Sequence, residues 1–453
     1  MYLLYSLLLT VGFVALLPKF ILDAFRTRKY VTGLGERFGK LAFTADGTRP
    51  TLWLHCVSVG ETEAARPLVR AIRKRFPSSR LVISTTTVTG QAIARKVFSN
   101  EADAIFYFPI DWLWTIRRVL STLQPAAVLL METEIWPNLL RECQTRAIPV
   151  ALLNGRISSK SFGRYRLVRA FMGRVLNNLS TALMQSEADA ERIRELGMSS
   201  ERIHVLGNLK FDGVETIIDQ GLLAEFRGRF GFDGVRPLIV AASTHAPEET
   251  IVLSSFGQLR KTQPELNPRL LIAPRHPERF DEVALLIKAS GFSWARRTHP
   301  VSTGDKTCDV ILLDSMGELR AAYAVADVAF VGGSIASHGG HNVLEPAALG
   351  VPIITGAHTQ NFAAIIKTLL DERALLQLRN QEFAEVSAEL ASAIAELLSA
   401  ESSCKAMAER ALAVCRQNRG ATERTMQAIT VLLAGSERSP ESIHFSALHA
   451  AVK

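Results

Sequence analysis

Short apolar runs alternate with longer amphipathic segments along almost the whole chain, and the alternation stops once and then restarts. The first series is Leu52 to Val57, Leu81 to Ser84, Ala104 to Phe108, Ala127 to Met131, Val150 to Leu153, Ala182 to Met184 and His204 to Leu206. The second is Pro237 to Ala242, Leu270 to Ala273, Val310 to Leu313, Val328 to Val331 and Pro352 to Ile354. Strands that alternate with helices pair in parallel and are buried on both faces, so each run is apolar throughout. At 453 residues the chain also exceeds one ordinary domain. The expected fold class is therefore α/β, with two Rossmann-like α/β/α domains facing a central cleft where ligands sit.

Expected boundaries are an N-terminal membrane anchor over 1–25, a first domain over 26–212 and a linker over 213–235. A second domain over 236–415, a C-terminal helix over 416–435 and a polar tail over 436–453 complete the chain. The anchor rests on the apolar stretch from Met1 to Leu17, resumed from Phe20 to Phe25, which is long enough for one spanning or deeply inserted helix. Lys19, Arg26, Arg28 and Lys29 follow it, which places the bulk of the chain on the cytoplasmic side. A net charge of +8 favours an anionic partner: nucleic acid, anionic lipid or a phosphorylated substrate. Five cysteines without a Cys-x-x-Cys pair argue against a zinc site or a disulfide scaffold.

Polar clusters follow the strands directly, where open α/β sheets gather their chemistry. Ser58-Val59-Gly60-Glu61 ends the first strand; Glu61 is either a functional carboxylate or an acid favoured in a first helical turn. Glu132 and Glu134 follow the fourth strand, as a cleft-facing pair or a weakly signalled metal site. Lys210 is placed to neutralise a departing phosphate or to pair with Glu132. In the second series Arg275 suits a bidentate grip on phosphate, whereas His276 alone reads as structural. Met316-Gly317-Glu318 follows another strand. Gly332, Gly333 and Ser334 let backbone approach a ligand, and the helix start near Asn342 would attract its phosphate, with Glu345 reaching the ribose. Arg156, Lys160 and Arg164 recur every four residues, as one basic helix face that is either solvated or set against anionic lipid. Aromatic interleaving is too sparse for a nucleic-acid surface.

Together SVGE, METEIWPN, NLKFD, STH, PRHPERF, MGEL and FVGGS…GGHNVLEP resemble the motif series of the 3-deoxy-D-manno-octulosonic acid (Kdo) transferases, in order and spacing, from the N-terminus to about Leu433. The resemblance implies a GT-B fold and inverting transfer of Kdo from CMP-Kdo to lipid IVA, the lipid A precursor of lipopolysaccharide. It further implies no cofactor, no essential metal and a place on the cytoplasmic face of the inner membrane. Motif by motif, Glu61 corresponds to the proton acceptor, and Glu132 and Lys210 to residues that support the transition state. Pro274 and Arg275, Met316, Gly317 and Glu318, and Asn342, Val343, Leu344 and Glu345 correspond to the CMP-holding segments. Gly332, Gly333 and Ser334 are expected near the phosphate. Glu36 is a rival base, a structural carboxylate paired with Arg37 or another cation, or an acceptor contact. Alternatives are another two-sheet nucleotide-sugar enzyme, such as a 2-epimerase, or a membrane-bound nucleotide sensor without catalysis.

Overall fold

The structure, a computed structural model, describes residues 1–27, 32–44, 47–214, 217–232, 234–380 and 382–436, without side chains at 19–27 and 436. Arg28, Lys29 and the polar tail from 437 onward therefore lie outside the described residues. The chain forms two compact units, one of Met1–Gly213 with Asn418–Lys453, the other of Val214–Gln417.

In the first unit, β1 (Thr51–His55), β2 (Arg80–Thr85), β3 (Ala104–Tyr107), β4 (Pro125–Met131), β5 (Val150–Gly155), β6 (Thr181–Met184) and β7 (Ile203–Val205) form one parallel sheet. Its order, β3-β2-β1-β4-β5-β6-β7, reverses direction between β1 and β4, so the carboxyl ends of these two strands flank the crevice of the sheet. Alternate residues feed two cores: Trp53, Val82 and Val128 on one face, Leu52, Leu54, Ile83 and Leu129 on the other. The C-terminal segment corrects an expectation. The single helix expected over 416–435 is two, Glu401–Asn418 and Ala421–Ser436, separated at Gly420 with φ of 89°. Asp212 of the NLKFD motif accepts hydrogen bonds from Gly420 N–H at 2.7 Å and Thr422 N–H at 2.5 Å, fixing the second helix start. Ala421, Met426 and Ile429 then pack into the Leu52 core layer.

Helix Tyr2–Thr27 docks on this unit by one face. Tyr5 Oη donates to Asp111 Oδ2 at 3.0 Å, Asn138 Nδ2 to Ser6 Oγ at 3.0 Å, and Trp112 Nε1 to Thr10 Oγ1 at 3.1 Å. Leu3, Leu4, Leu7, Leu8, Val11 and Val14 lie on the opposite side and are each more than half exposed. Among the described residues no helix is long and apolar enough to cross a membrane.

The second unit holds β8 (Leu238–Thr244), β9 (Arg269–Pro274), β10 (Trp294–Arg296), β11 (Val310–Leu312), β12 (Val328–Val331), β13 (Ile353–Thr355) and β14 (Leu376–Gln377), again all parallel. The order is β10-β11-β9-β8-β12-β13-β14, reversing between β8 and β12. Both edge strands, β10 and β14, were absent from the expected series. The expected linker over 213–235 is also largely structured. Within it Gln220–Phe230 is a helix, opened by Asp219, whose Oδ1 accepts Gly221 N–H at 2.9 Å and Leu222 N–H at 3.0 Å. Gly231 closes it with φ of 63°. Phe226 and Phe230 carry it into the core beside Leu238 and Val240. Positions 215, 216 and 233 of that linker lie outside the described residues.

Candidate functional site

The expected residues fall into two constellations, one in each unit. In the first unit, β1 ends at His55 and the chain turns into helix Val59–Arg75, with Glu61 in its first turn. Val57 N–H donates to Glu61 Oε2 at 2.7 Å and Ser58 Oγ to Oε1 at 3.3 Å. Glu61 is nonetheless buried, and loss of water pushes its carboxyl up to about 8, with the negative charge of Glu132 adding to the rise. Glu132 follows β4 in the left-handed region, with φ of 55°, a costly conformation for a residue with a Cβ. Its Oε1 lies 3.4 Å from Lys210 Nζ.

A network at the ends of β5 to β7 holds the lysine. Asn154, itself at φ of 53°, accepts Leu209 N–H at 3.0 Å through Oδ1. Asn208 accepts Lys210 N–H at 3.0 Å and donates to Gln185 Oε1 at 3.0 Å. A third carboxyl, Glu134, is pushed up to about 7 by burial and then by Glu132. Its Oε2 stands 4.0 Å from His55 Nε2. That imidazole is wholly buried, stacks on Phe108 with centroids 4.0 Å apart, and is lowered to about 3 by desolvation, so it is neutral at physiological pH. Three carboxyls and one ammonium thus meet where the strand order reverses.

Glu36 is engaged elsewhere. Its Oε2 accepts Tyr107 N–H at 2.7 Å, at the end of β3, while the Arg37 guanidinium sits 4.4 Å above the Tyr107 ring. The expected basic face is also altered. Arg156 precedes Ser158, the N-cap of helix Ser159–Leu167, so only Lys160 and Arg164 share that helix. Both are exposed, as is Leu167 at 86%.

In the second unit the glycine-rich turn after β12 is built around Glu248, which the sequence reading did not single out. Its wholly buried carboxylate accepts Gly333 N–H at 2.7 Å, Ser334 N–H at 2.9 Å, Ile335 N–H at 2.8 Å, Ala336 N–H at 3.2 Å and His245 N–H at 3.0 Å. The amides of Gly333 and Ser334, residues expected near the phosphate, are therefore already taken. The Gly332 amide donates to Ala242 O at 2.8 Å. Glycine at 332 is required because a Cβ would fall 2.6 Å from Glu248 Oε2 and 2.8 Å from Ser243 O. Ser334 Oγ bridges Val331 O at 2.7 Å and Gly356 N–H at 2.8 Å, tying β12 to β13. The helix start also differs from expectation: Leu344–Ala348 has only five residues.

Asn342 Oδ1 accepts Leu344 N–H at 3.1 Å and its Nδ2 donates to Glu345 Oε1 at 3.1 Å, so Asn342 orients the carboxylate expected at the ribose. Val343 and Leu344 are buried behind them. Pro274 ends β9, and Arg275, whose N–H donates to Thr244 O at 3.0 Å, is exposed. Glu318 receives Arg297 through Nε at 2.8 Å and Nη2 at 2.9 Å; Met316 is 63% exposed beside Gly317 at φ of 90°. Four of the ten histidines converge here as well. The His245 ring lies 4.1 Å from His338, 5.0 Å from His276 and 5.0 Å from His341, centroid to centroid. Among the described residues no group of three or more His, Cys, Asp or Glu side chains is arranged to hold a metal ion. Glu248 escaped notice because an acid in a first helical turn looks like a dipole complement. The only sequence signal was its place three residues after the STH motif.

Residues 32–213 match the family model described as 3-Deoxy-D-manno-octulosonic-acid transferase (kdotransferase). The 3-deoxy-D-manno-octulosonic acid transferase of Haemophilus influenzae is 35% identical over 404 residues, covering 88% of this chain and 91% of that protein. The enzyme of the same name from Bordetella pertussis is 33% identical over 431 residues, covering 93% and 97%. Among solved structures, the UDP-GlcNAc 2-epimerase of Neisseria meningitidis superposes with a TM-score of 0.54 at 13% identity, covering 84% of this chain and 99% of that one. A glycosyltransferase from Rickettsia africae gives 0.55 at 11% identity, covering 85% and 99%. At such identities the superpositions speak for the fold alone, whereas the sequence relatives decide the activity. The chain belongs to the 3-deoxy-D-manno-octulosonic acid transferases and is a glycosyltransferase.

Proposed function

We propose that the enzyme moves Kdo from CMP-Kdo to lipid IVA in lipopolysaccharide synthesis, with inversion at the anomeric carbon. The observation that carries this reading is the buried Glu61 carboxyl beside the Glu132–Lys210 pair, at the reversal of strand order. A lipid hydroxyl attacks the anomeric carbon as the bond to the CMP phosphate breaks, and the hydroxyl proton passes to Glu61. A carboxyl titrating near 8 is a stronger base than an ordinary one, and a positioned base contributes about 10²–10⁴-fold. Lys210, held beside Glu132, supplies positive charge for the transition state. Arg275, Glu318 and the Asn342–Glu345 turn hold CMP in the second unit. Protein donors suffice for the leaving charge, without a metal ion.

Docking at the cytoplasmic face of the inner membrane is part of the same reading. The exposed leucine face of helix Tyr2–Thr27 would enter the apolar layer in the plane of the bilayer. Arg141 and Arg174 stand at its first turn, the one 4.9 Å above the Tyr2 ring, the other 3.7 Å from Met1 Sδ, where anionic head groups would lie. Incubation of the full chain with CMP-Kdo, lipid IVA and excess EDTA, followed by mass spectrometry, tests the reading. Products heavier by whole Kdo residues are expected. Unchanged lipid, or transfer that requires added Mg²⁺, would overturn it.

A further inference from the structure

The four imidazoles beyond β8 and β12 have an arrangement that the nucleotide-holding segments do not explain. His245 Nε2 and His341 Nε2 face each other at 2.8 Å, with the rings nearly coplanar at 3°. Such a contact is attractive only if one nitrogen carries a hydrogen and the other does not, so the pair holds at most one shared proton at that contact. His338 stacks on His245 at 23° and His276 meets it edge-on at 79°. His245 is buried at the floor, while His338 and His276 are exposed at the rim.

Charges of both signs surround this group. Arg275 bears on His341, and Arg279, itself paired with Glu249 and Glu282, bears on His245. Two further carboxylates approach. Glu248 accepts five backbone N–H groups and offers the rings little. Glu278 lies 3.7 Å from His276 Nδ1 at the exposed rim. With Arg275 beside His341 and Glu248 taken up by backbone amides, positive charge on the two inner rings is favoured when an anion enters.

We propose that His245, His276, His338 and His341 form an oxyanion-receiving cluster that takes up a proton when the anionic part of the donor binds beside Arg275. The proposal rests on the donor reading above. The anion is either the nucleotide phosphate or the carboxylate of the sugar acid, which present the same oxygen chemistry. Burial first, then the neighbouring imidazoles at His245 and Arg275 at His341, lower these two rings to about 4, so at neutral pH both are uncharged and an incoming anion offsets their positive neighbours. Coupling of this kind makes affinity fall as pH rises, by up to about tenfold per unit for one proton taken up.

Calorimetric titration of CMP into the full chain at neutral pH, in PIPES and in ACES, reads proton uptake from the difference in apparent heat. Free Kdo titrated alongside separates carboxylate from phosphate. Uptake approaching one proton with at least one of the two is expected, with H341Q and the surface variant H338Q both reducing it while CMP still binds. CMP or Kdo binding without uptake, or uptake unchanged in both variants, would overturn the proposal and leave the donor reading intact. If neither compound binds, histidine ring resonances followed during titration with inorganic phosphate decide the point. Shifts confined to these four rings would keep the cluster and discard the donor reading, and unmoved rings would end both.

Discussion

Lys210 Nζ stands 3.4 Å from Glu132 Oε1, joining the turn after β7 to a residue held in the left-handed conformation after β4. Both side chains are mostly shielded from solvent, so neither charge is well served by water alone. K210M should lower kcat/KM by about 10²–10³-fold, the usual cost of removing one preorganised charge from a reacting centre. It should also destabilise the fold by about 1–3 kcal/mol, by leaving a carboxylate without its ammonium. E132Q/K210M should regain much of that stability without regaining activity, as thermal unfolding and initial rates measured together will report. A double variant as unstable as K210M would mean that the pair does not interact.

Glu61 and Glu36 separate by the charges around their carboxylates. Each accepts one backbone amide at 2.7 Å, but Glu61 also has the carboxyls of Glu132 and Glu134 for neighbours. E61Q should abolish turnover, about 10²–10⁴-fold, and leave CMP affinity unchanged by calorimetry. E36Q should retain most of kcat and show its effect in unfolding temperature. The reverse pattern would transfer the base to Glu36.

The pH profile carries its own sign. A base must be ionised to accept a proton, and burial first, then Glu132, raise the Glu61 carboxyl to about 8. The rate kcat/KM should therefore climb as pH increases through roughly that value and level off above it. In E132Q the second cause is gone, so the rising limb should move toward lower pH although the plateau drops. A limb at the ordinary carboxylate position in the unaltered enzyme would exclude a buried Glu61 as the titrating base.

How much of this was legible in the sequence depended on burial and on topology. The inner strands of both sheets could be read because both faces are covered, which forces runs such as Val328–Val331 to be apolar throughout. Edge strands Trp294–Arg296 and Leu376–Gln377 carry no such mark, being short and partly exposed. Glu61, Glu132 and Lys210 stood out as polar residues immediately beyond apolar strands, and the family motifs suggested their roles. The Glu248 cradle could not be seen in the same way. Its partner Gly333 is 85 residues away, and only the pairing of β8 with β12 brings the two together. The linker helix left a trace in Leu223, Phe226 and Phe230, spaced as on one helical face, but its place between the two strand series makes it read as their connection.

That cradle makes a separate prediction for the second unit. In E248Q one carboxylate oxygen becomes an NH₂ that must point at backbone N–H groups, setting donors against donors. Charge-assisted hydrogen bonds of this kind contribute about 1.5–3 kcal/mol each, so a stability loss of several kcal/mol and failure to bind CMP are expected. E249Q, which disturbs only the neighbouring Arg279 pair at 2.6 Å and 3.1 Å, should keep CMP binding. Equal loss in both variants would show that the glycine-rich turn does not depend on Glu248.

The proposed membrane docking divides into an apolar and an electrostatic part, because the two reside on different residues. Leu3, Leu4, Leu7 and Leu8 are presented outward by a helix whose other face is fixed through Tyr5, Ser6 and Thr10. Burying one leucine contributes about 1.5–3 kcal/mol, so changing all four to serine should reduce partition into lipid vesicles at least about 10³-fold, at any ionic strength. Lys160 and Arg164 act only through charge, worth about 1 kcal/mol each beside anionic lipid. K160Q/R164Q should therefore weaken binding to anionic vesicles in low salt and change nothing in neutral vesicles or in high salt. Sedimentation with vesicles of both compositions, at two salt concentrations, measures each part. Should the leucine variant still sediment with neutral vesicles, the exposed face of this helix is not what holds the enzyme to lipid.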